Sequence, residues 1–280
     1  MKIAYRVLML SGLLLSCSAQ AFDFGQLEDK LKTEMPVNPK LAEAVKEIHG
    51  PDESEEIAIG RQIAGDLLGA SPLVKDAKLQ TYVNQVGEWV ASQSERPDLP
   101  WHFGVIQSDD VNAFAAPGGY IFVTRGLYRL LQNEADLAGV LGHEIGHVIR
   151  KHHLKLVQQG RLLEAGSKAL TKQVGGNDKV QQLIGSGAEI VARSLDKDSE
   201  FEADRIGVVL ATRAGYDPYG LPGVLQQIGH FAKDDGSVAL LFKTHPHPDD
   251  RLAQLDGAMD NRFDRIKGAT LAGRLYRPKR

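Results

Sequence analysis

The chain has 280 residues, 42% of them hydrophobic and 25% charged, which is ordinary for a globular protein with one sizeable core and a helical extension. A net charge of -3 argues against nucleic acid as a partner, and the single cysteine, Cys17, excludes an internal disulfide.

Lys2 and Arg6 precede an apolar run from Val7 to Leu15 broken by Ser11 and Gly12, and Ala19-Gln20-Ala21 follows with small residues. This is the layout of a secretory signal peptide over 1–21, too short to span a membrane as a helix, with a mature chain starting at Phe22. The alternative is a bacterial lipobox, Leu14-Leu15-Ser16-Cys17, with Cys17 acylated. Both readings place the protein beyond the inner membrane, in the periplasm or at the outer membrane.

Residues 22–50 are polar and read as an arm with at most short helices. From Pro51, the acidic run Asp52-Glu53-Ser54-Glu55-Glu56 opens an apolar-periodic segment through Leu68, as suits a helix N-terminus. Leu79, Val83, Val86 and Val90 share one side of a second helix. Trp101 to Ile106, Val111 to Ala115 and Tyr120 to Thr124 read as strands, with Pro117-Gly118-Gly119 as a turn. Asn133 is placed to cap a helix carrying Glu134 and Asp136 in its first turn, and the chain beyond is almost all helical. The scattered glycines from Gly175 to Gly187 suit a flexible helix-loop segment, and Arg274, Arg277, Lys279 and Arg280 make a basic, solvated tail over 261–280. The expected fold is α+β and mainly helical, with residues 51–260 forming one domain and a small sheet packed on the Asn133-capped helix.

That helix contains His143-Glu144-Ile145-Gly146-His147. Histidines four apart lie about 40° apart around the axis and about 6 Å apart along it, so their rings can converge on one ion. Glu144 flanks the same site, within reach of a water there. Leu137, Val140, Leu141, Ile145 and Val148 mark the helix as buried, and burying three titratable groups together is costly unless something pairs them. Gly139, Gly142 and Gly146 each cost about 1 kcal/mol against alanine inside a helix, which implies close approach of another element.

A catalytic zinc takes three protein ligands and leaves a fourth position for water. In Asp198-Ser199-Glu200-Phe201-Glu202-Ala203-Asp204-Arg205, Glu200 and Asp204 share a helical face while Glu202 points elsewhere. Glu200 is the expected third ligand. Asp204 is expected beside it, accepting a hydrogen bond from the free ring N–H of His143 or His147. His152 and His153 rotate off the ligand face and read, with Arg150 and Lys151, as a basic stretch; Trp89 and Trp101 read as packing residues.

HEIGH and the downstream EFEAD, together with NAFAAPGGYIFVTRGL before them and THPHPDDR after them, resemble the HtpX-like zinc metallopeptidases, most of all their exported BepA- and LoiP-type members. The BepA-type members carry a C-terminal array of helical repeats that this sequence does not show, so the short, LoiP-type form is the closer likeness. The resemblance implies one Zn2+ per chain held by His143, His147 and Glu200, with Glu144 catalytic and Asp204 in the supporting site. It also implies unfolded or misfolded envelope proteins as substrates, and association with the outer membrane or its assembly machinery. His245, His247 and Arg251 lie in a segment that recurs in the family and are candidates to stabilise the oxyanion. His245 is a further candidate for a fourth ligand that blocks water in a resting state, against the plainer reading of a solvent-facing loop histidine. Asn112 to Thr124, with Ile121 and Val123, is the expected edge at which an unfolded chain adds as a strand, the alternative being a purely structural hairpin. The competing reading of the whole is a metal-stabilised, chaperone-like binding protein with little hydrolysis, for which Glu144 would be superfluous; peptidase action on short peptides alone is a third.

Overall fold

The computed structural model describes residues 51–158, 195–232 and 235–278. The expected signal peptide, Cys17, the polar arm, the Gly175 to Gly187 segment and the last two residues lie outside them. Helix α1 (Glu53–Ala70) opens with Asp52, whose side chain accepts from Glu55 N while the Glu55 side chain accepts from Asp52 N. Helix α2 (Ala77–Ala91) is capped by Asp76, and its Leu79, Val83, Val86 and Val90 are buried as their spacing predicts.

Strands β1 (His102–Ile106), β2 (Ala113–Ala116) and β3 (Tyr120–Thr124) form a sheet in the order β1-β3-β2. β3 runs parallel to β1 and antiparallel to β2. The hairpin between β2 and β3 turns at Gly118 and Gly119, with φ of 74° and 96°, a backbone that side chains other than glycine rarely adopt. Asn112 O accepts from Thr124 N and Thr124 Oγ1, so pairing continues one residue beyond β2. One face of the sheet, including Ile121 and Val123, joins the main core; Phe114, Ala116 and Phe122 on the other pack against Ile63 and Ala64 of α1.

After the short α3 (Arg125–Leu130) comes the central helix α4 (Glu134–Ile149), capped as expected by the Asn133 side chain at Asp136 N. It is buried from Glu134 to Val148. Helix α5 (Lys197–Arg213) lies against it, followed by α6 (Gly220–Gly229), α7 (Ala239–Thr244) and α8 (Pro248–Met259). The small sheet on the central helix and the dominance of helix bear out the expected α+β class.

The glycines of α4 mark its closest contacts. A Cβ on Gly142 would sit 2.8 Å from Gly207 O, one on Gly139 would sit 2.6 Å from Leu221 N, and one on Gly146 would sit 3.1 Å from Ala203 Cα. The helices therefore touch backbone to backbone, as the three glycines predict.

Residues 261–278 depart from the expected solvated tail. Ala269 bridges Tyr216, Thr270 O accepts from Ala135 N, Leu275 is buried, and Arg277 donates to Leu131 O. The segment is folded against the helices rather than ending at 260, because Leu275 and Tyr276 supply apolar surface among the basic residues. Among the described residues no helix is long and apolar enough to cross a membrane.

The backbone contact gives a paired prediction. A Cβ at Gly207 would lie 2.7 Å from His143 N, whereas Gly65 on α1 has nothing within 4 Å. Gly207→Ala should lose about 1–3 kcal/mol to overpacking, more than the roughly 1 kcal/mol gained in helix propensity. Gly65→Ala keeps that gain, so thermal unfolding should move down for the first and up or not at all for the second.

Candidate metal centre

Helix α4 presents His143 and His147 from successive turns of one face, and α5 presents Glu200 and Asp204 from its first two turns opposite them. All four are nearly inaccessible to solvent. His143 Nε2 and His147 Nε2 lie 3.0 Å apart. Glu200 brings Oε2 to 3.7 Å from His143 Nε2 and Oε1 to 3.6 Å from His147 Nε2. One ligand atom each from His143, His147, Glu200 and His245 falls within 4.8 Å of all the others.

This donor set suits a zinc ion. Two ring nitrogens and a carboxylate are its usual ligands. Glu200 Oε1 is buried without a hydrogen-bond partner, and a buried carboxylate oxygen left so is costly unless a cation faces it. Burial pushes His147 well below its usual range, which keeps the ring neutral and able to offer a lone pair. Burial pushes Glu200 up, but the His245 ring, which also hydrogen-bonds it, outweighs burial and holds the carboxyl well below the usual range.

Behind His143 stands the supporting pair. Asp204 Oδ1 lies 2.9 Å from His143 Nδ1, so of the two histidines it is His143 that Asp204 orients. Arg251, from α8, bonds Asp204 with Nε at 2.9 Å and with Nη2, and Nη2 also lies 3.2 Å from His143 Nδ1. Burial alone would raise Asp204, yet the Arg251 guanidinium holds it well below the usual range. Arg251 thus has two of its nitrogens committed to Asp204, behind His143, and it also borders the cavity beside Glu144 and His245. His247 caps α8 at its N-terminus, its side chain accepting from Asp249 N, and takes no part in the cluster.

His245 follows α7 directly and is not a solvent-facing loop residue. Its Nδ1 lies 2.7 Å from Glu200 Oε2, and its ring centre is 5.8 Å from that of His143. Glu144 is buried beside them, and burial pushes its carboxyl above the usual range. A cavity of about 30 Å³ is bordered by Ala113, Val140, Glu144, Leu225, His245 and Arg251.

Three expectations are corrected. Ile121 and Val123 do not lie on an exposed edge: β3 is the central strand, paired on both sides, and both residues are fully buried. The edge on that side is β2, where the antiparallel alternation turns the backbone groups of Ala113 and Ala115 away from β3, and Asn112 is buried at its start. His152 and His153 do not leave the site. The helix stops at Ile149, Lys151 takes φ 57°, and the turned chain brings both rings back onto His147, with centres 5.1 and 5.4 Å away. Both are buried, and burial pushes His153 down to about 4. Glu202 points away from the ligand cluster as expected, and there it reaches the far side of His152 at 3.3 Å. Trp101 packs against Phe103 as expected, whereas Trp89 is half exposed and donates its indole N–H to Ala214 O.

Residues 77–259 match peptidase family M48. Over 209 residues the chain is 32% identical to the beta-barrel assembly-enhancing protease of Yersinia pestis, which takes in 71% of this chain and 43% of that protein. The protein of the same name from Escherichia coli strain K12 is 31% identical over 218 residues, 71% of this chain and 42% of that one. The mitochondrial metalloendopeptidase OMA1 of Schizosaccharomyces pombe is 28% identical over 181 residues, 62% of this chain and 51% of that one. The chain thus spans about half, or less than half, of the length of these relatives.

Proposed function

Because the chain belongs to peptidase family M48, a family of zinc metalloendopeptidases, we propose that it hydrolyses peptide bonds of misfolded or stalled proteins in the bacterial envelope. The observation that carries this reading is a buried glutamate, Glu144, beside a convergent His143, His147 and Glu200. A scaffold would need the ligands but not the base. A zinc ion on those three ligands would supply Lewis acidity to a water and to the scissile carbonyl. Glu144 takes a proton from the attacking water as its oxygen bonds to the carbonyl carbon, and delivers it to the amine nitrogen as the C–N bond breaks. No side chain becomes acylated. Asp204 and Arg251 keep His143 in place, acting through it. The envelope setting draws on the signal-like N-terminus and on two relatives named for beta-barrel assembly.

His245 serves as a latch at the fourth position of the site in a resting state. It is held there by Glu200, whose Oε2 lies 2.7 Å from its Nδ1. The substrate chain adds as a strand at β2, whose Ala113 borders the same cavity as Glu144 and His245, so displacing the latch also opens the strand edge.

Four outcomes are expected. The unaltered protein should hold about one zinc per chain and cut casein until a chelator is added. Glu144→Gln should keep the zinc and lose about 10²–10⁴-fold in rate; a variant that cuts as well as its parent would remove Glu144 as the base, and a parent that holds zinc without cutting would favour the binding-protein reading. His245→Ala should raise the rate of casein cleavage, and an unchanged or lower rate would count against a latch. Ala115→Pro, which removes an N–H directed away from β3, should lower casein cleavage with zinc content intact; full activity in that variant would exclude strand addition there.

A further inference from the structure

We propose that His152 is a positioning residue: anchored by Glu202, it fixes the tautomer and orientation of the metal ligand His147. The inference rests on the zinc reading above and assigns work to two residues that the reading does not use.

The two ring nitrogens of His147 have different neighbours. Nε2 faces His143 Nε2 and Glu200, whereas Nδ1 lies 2.9 Å from Nδ1 of His152. Two facing imidazole nitrogens make a hydrogen bond only when one carries the hydrogen and the other offers a lone pair. Which way round this goes decides whether His147 can bind a metal. If a neutral His152 donated, its Nε2 would present a lone pair to Glu202 Oε2 at 3.3 Å, and a carboxylate offers acceptors alone. Lone pair would face lone pair. In the other direction both contacts of the His152 ring are satisfied: His147 Nδ1 donates to His152 Nδ1, His152 Nε2 donates to Glu202 Oε2, and the bare Nε2 atoms of His147 and His143 are left facing the place the ion would take. That direction leaves His147 Nε2 without a hydrogen, as a ligand nitrogen must be.

Glu202 is itself held. Arg150 brings Nε to 3.0 Å from Glu202 Oε1, and its Nη1 donates to Glu95 Oε2 at 2.8 Å. The two histidine ligands are therefore oriented by different devices. His143 meets a carboxylate, Asp204, directly; His147 meets one through an intervening imidazole. His153, although its ring packs on His147, has no hydrogen bond to it among the described residues.

The test is zinc affinity of the full chain, measured by competition with a chromophoric chelator and independent of turnover. His152→Phe keeps the bulk of the ring and removes the acceptor, and should weaken zinc binding about 10–100-fold. His152→Asn places a side-chain oxygen where Nδ1 stands and should recover most of that loss. Glu202→Ala, at a partly exposed position, should weaken binding in the same direction by a smaller factor. Parent-like affinity in His152→Phe overturns the proposal, as does an Asn variant no better than Phe, which would leave His152 a packing role alone. Should His152→Phe fail to fold, Glu202→Ala decides, and unchanged affinity there overturns the proposal. A parent that binds no zinc would bring down the metal reading and this inference together; a parent that binds it, with variants that bind it equally, brings down this inference alone.

Discussion

The structure depends on the contact of two helix backbones. α4 and α5 meet at Gly142 and Gly207, where neither helix has room for a Cβ. That approach brings the short carboxylate arms of Glu200 and Asp204 within reach of rings projecting from α4. A separation set by ordinary side chains, 8–10 Å between axes, keeps such groups farther apart. The two glycines lower helix propensity by about 1 kcal/mol each, and the offset is the packing that the contact permits.

Once the helices meet, the charges they enclose have to be satisfied together. Asp204 has Arg251, Glu200 has the facing histidines and His245, and His147 has His152 and through it Glu202. A buried ion pair is a poor source of net stability, yet breaking one by removing a single partner costs about 3–5 kcal/mol. Arg251 on α8, His245 after α7 and Glu202 on α5 are thereby tied to the ligands, and displacement of any one is felt at the ring it supports. This is how a site built on two helices draws on residues from four segments of the chain.

The sheet has a supporting part. β3 is buried between its neighbours and supplies Ile121 and Val123 to the core beneath α4, while β2 runs past the site with Ala113 beside the cavity that Glu144 and His245 border. The contacts of His245 with the ligand cluster and of Ala113 with the same cavity put Glu144, His245 and the start of β2 within one small region.

Much of this was legible in the sequence. The i, i+4 spacing of His143 and His147, the caps at Asp52, Asp76 and Asn133, the glycines of α4 and the shared face of Glu200 and Asp204 are local facts, and helical periodicity turns local spacing into geometry. The sequence also carries Ile121 and Val123 as strand residues, but not which strand is central, because sheet order is fixed by partners distant along the chain. His152 was hidden for a different reason. Continued as a helix, the sequence sends it away from the ligands; the structure ends the helix at Ile149 and turns the chain at Lys151, a residue with no propensity for positive φ to announce it. Periodicity by itself determined which residues could hold a metal. Only tertiary structure decided what orients them, because hydrogen bonds between segments some fifty residues apart leave no period in the sequence.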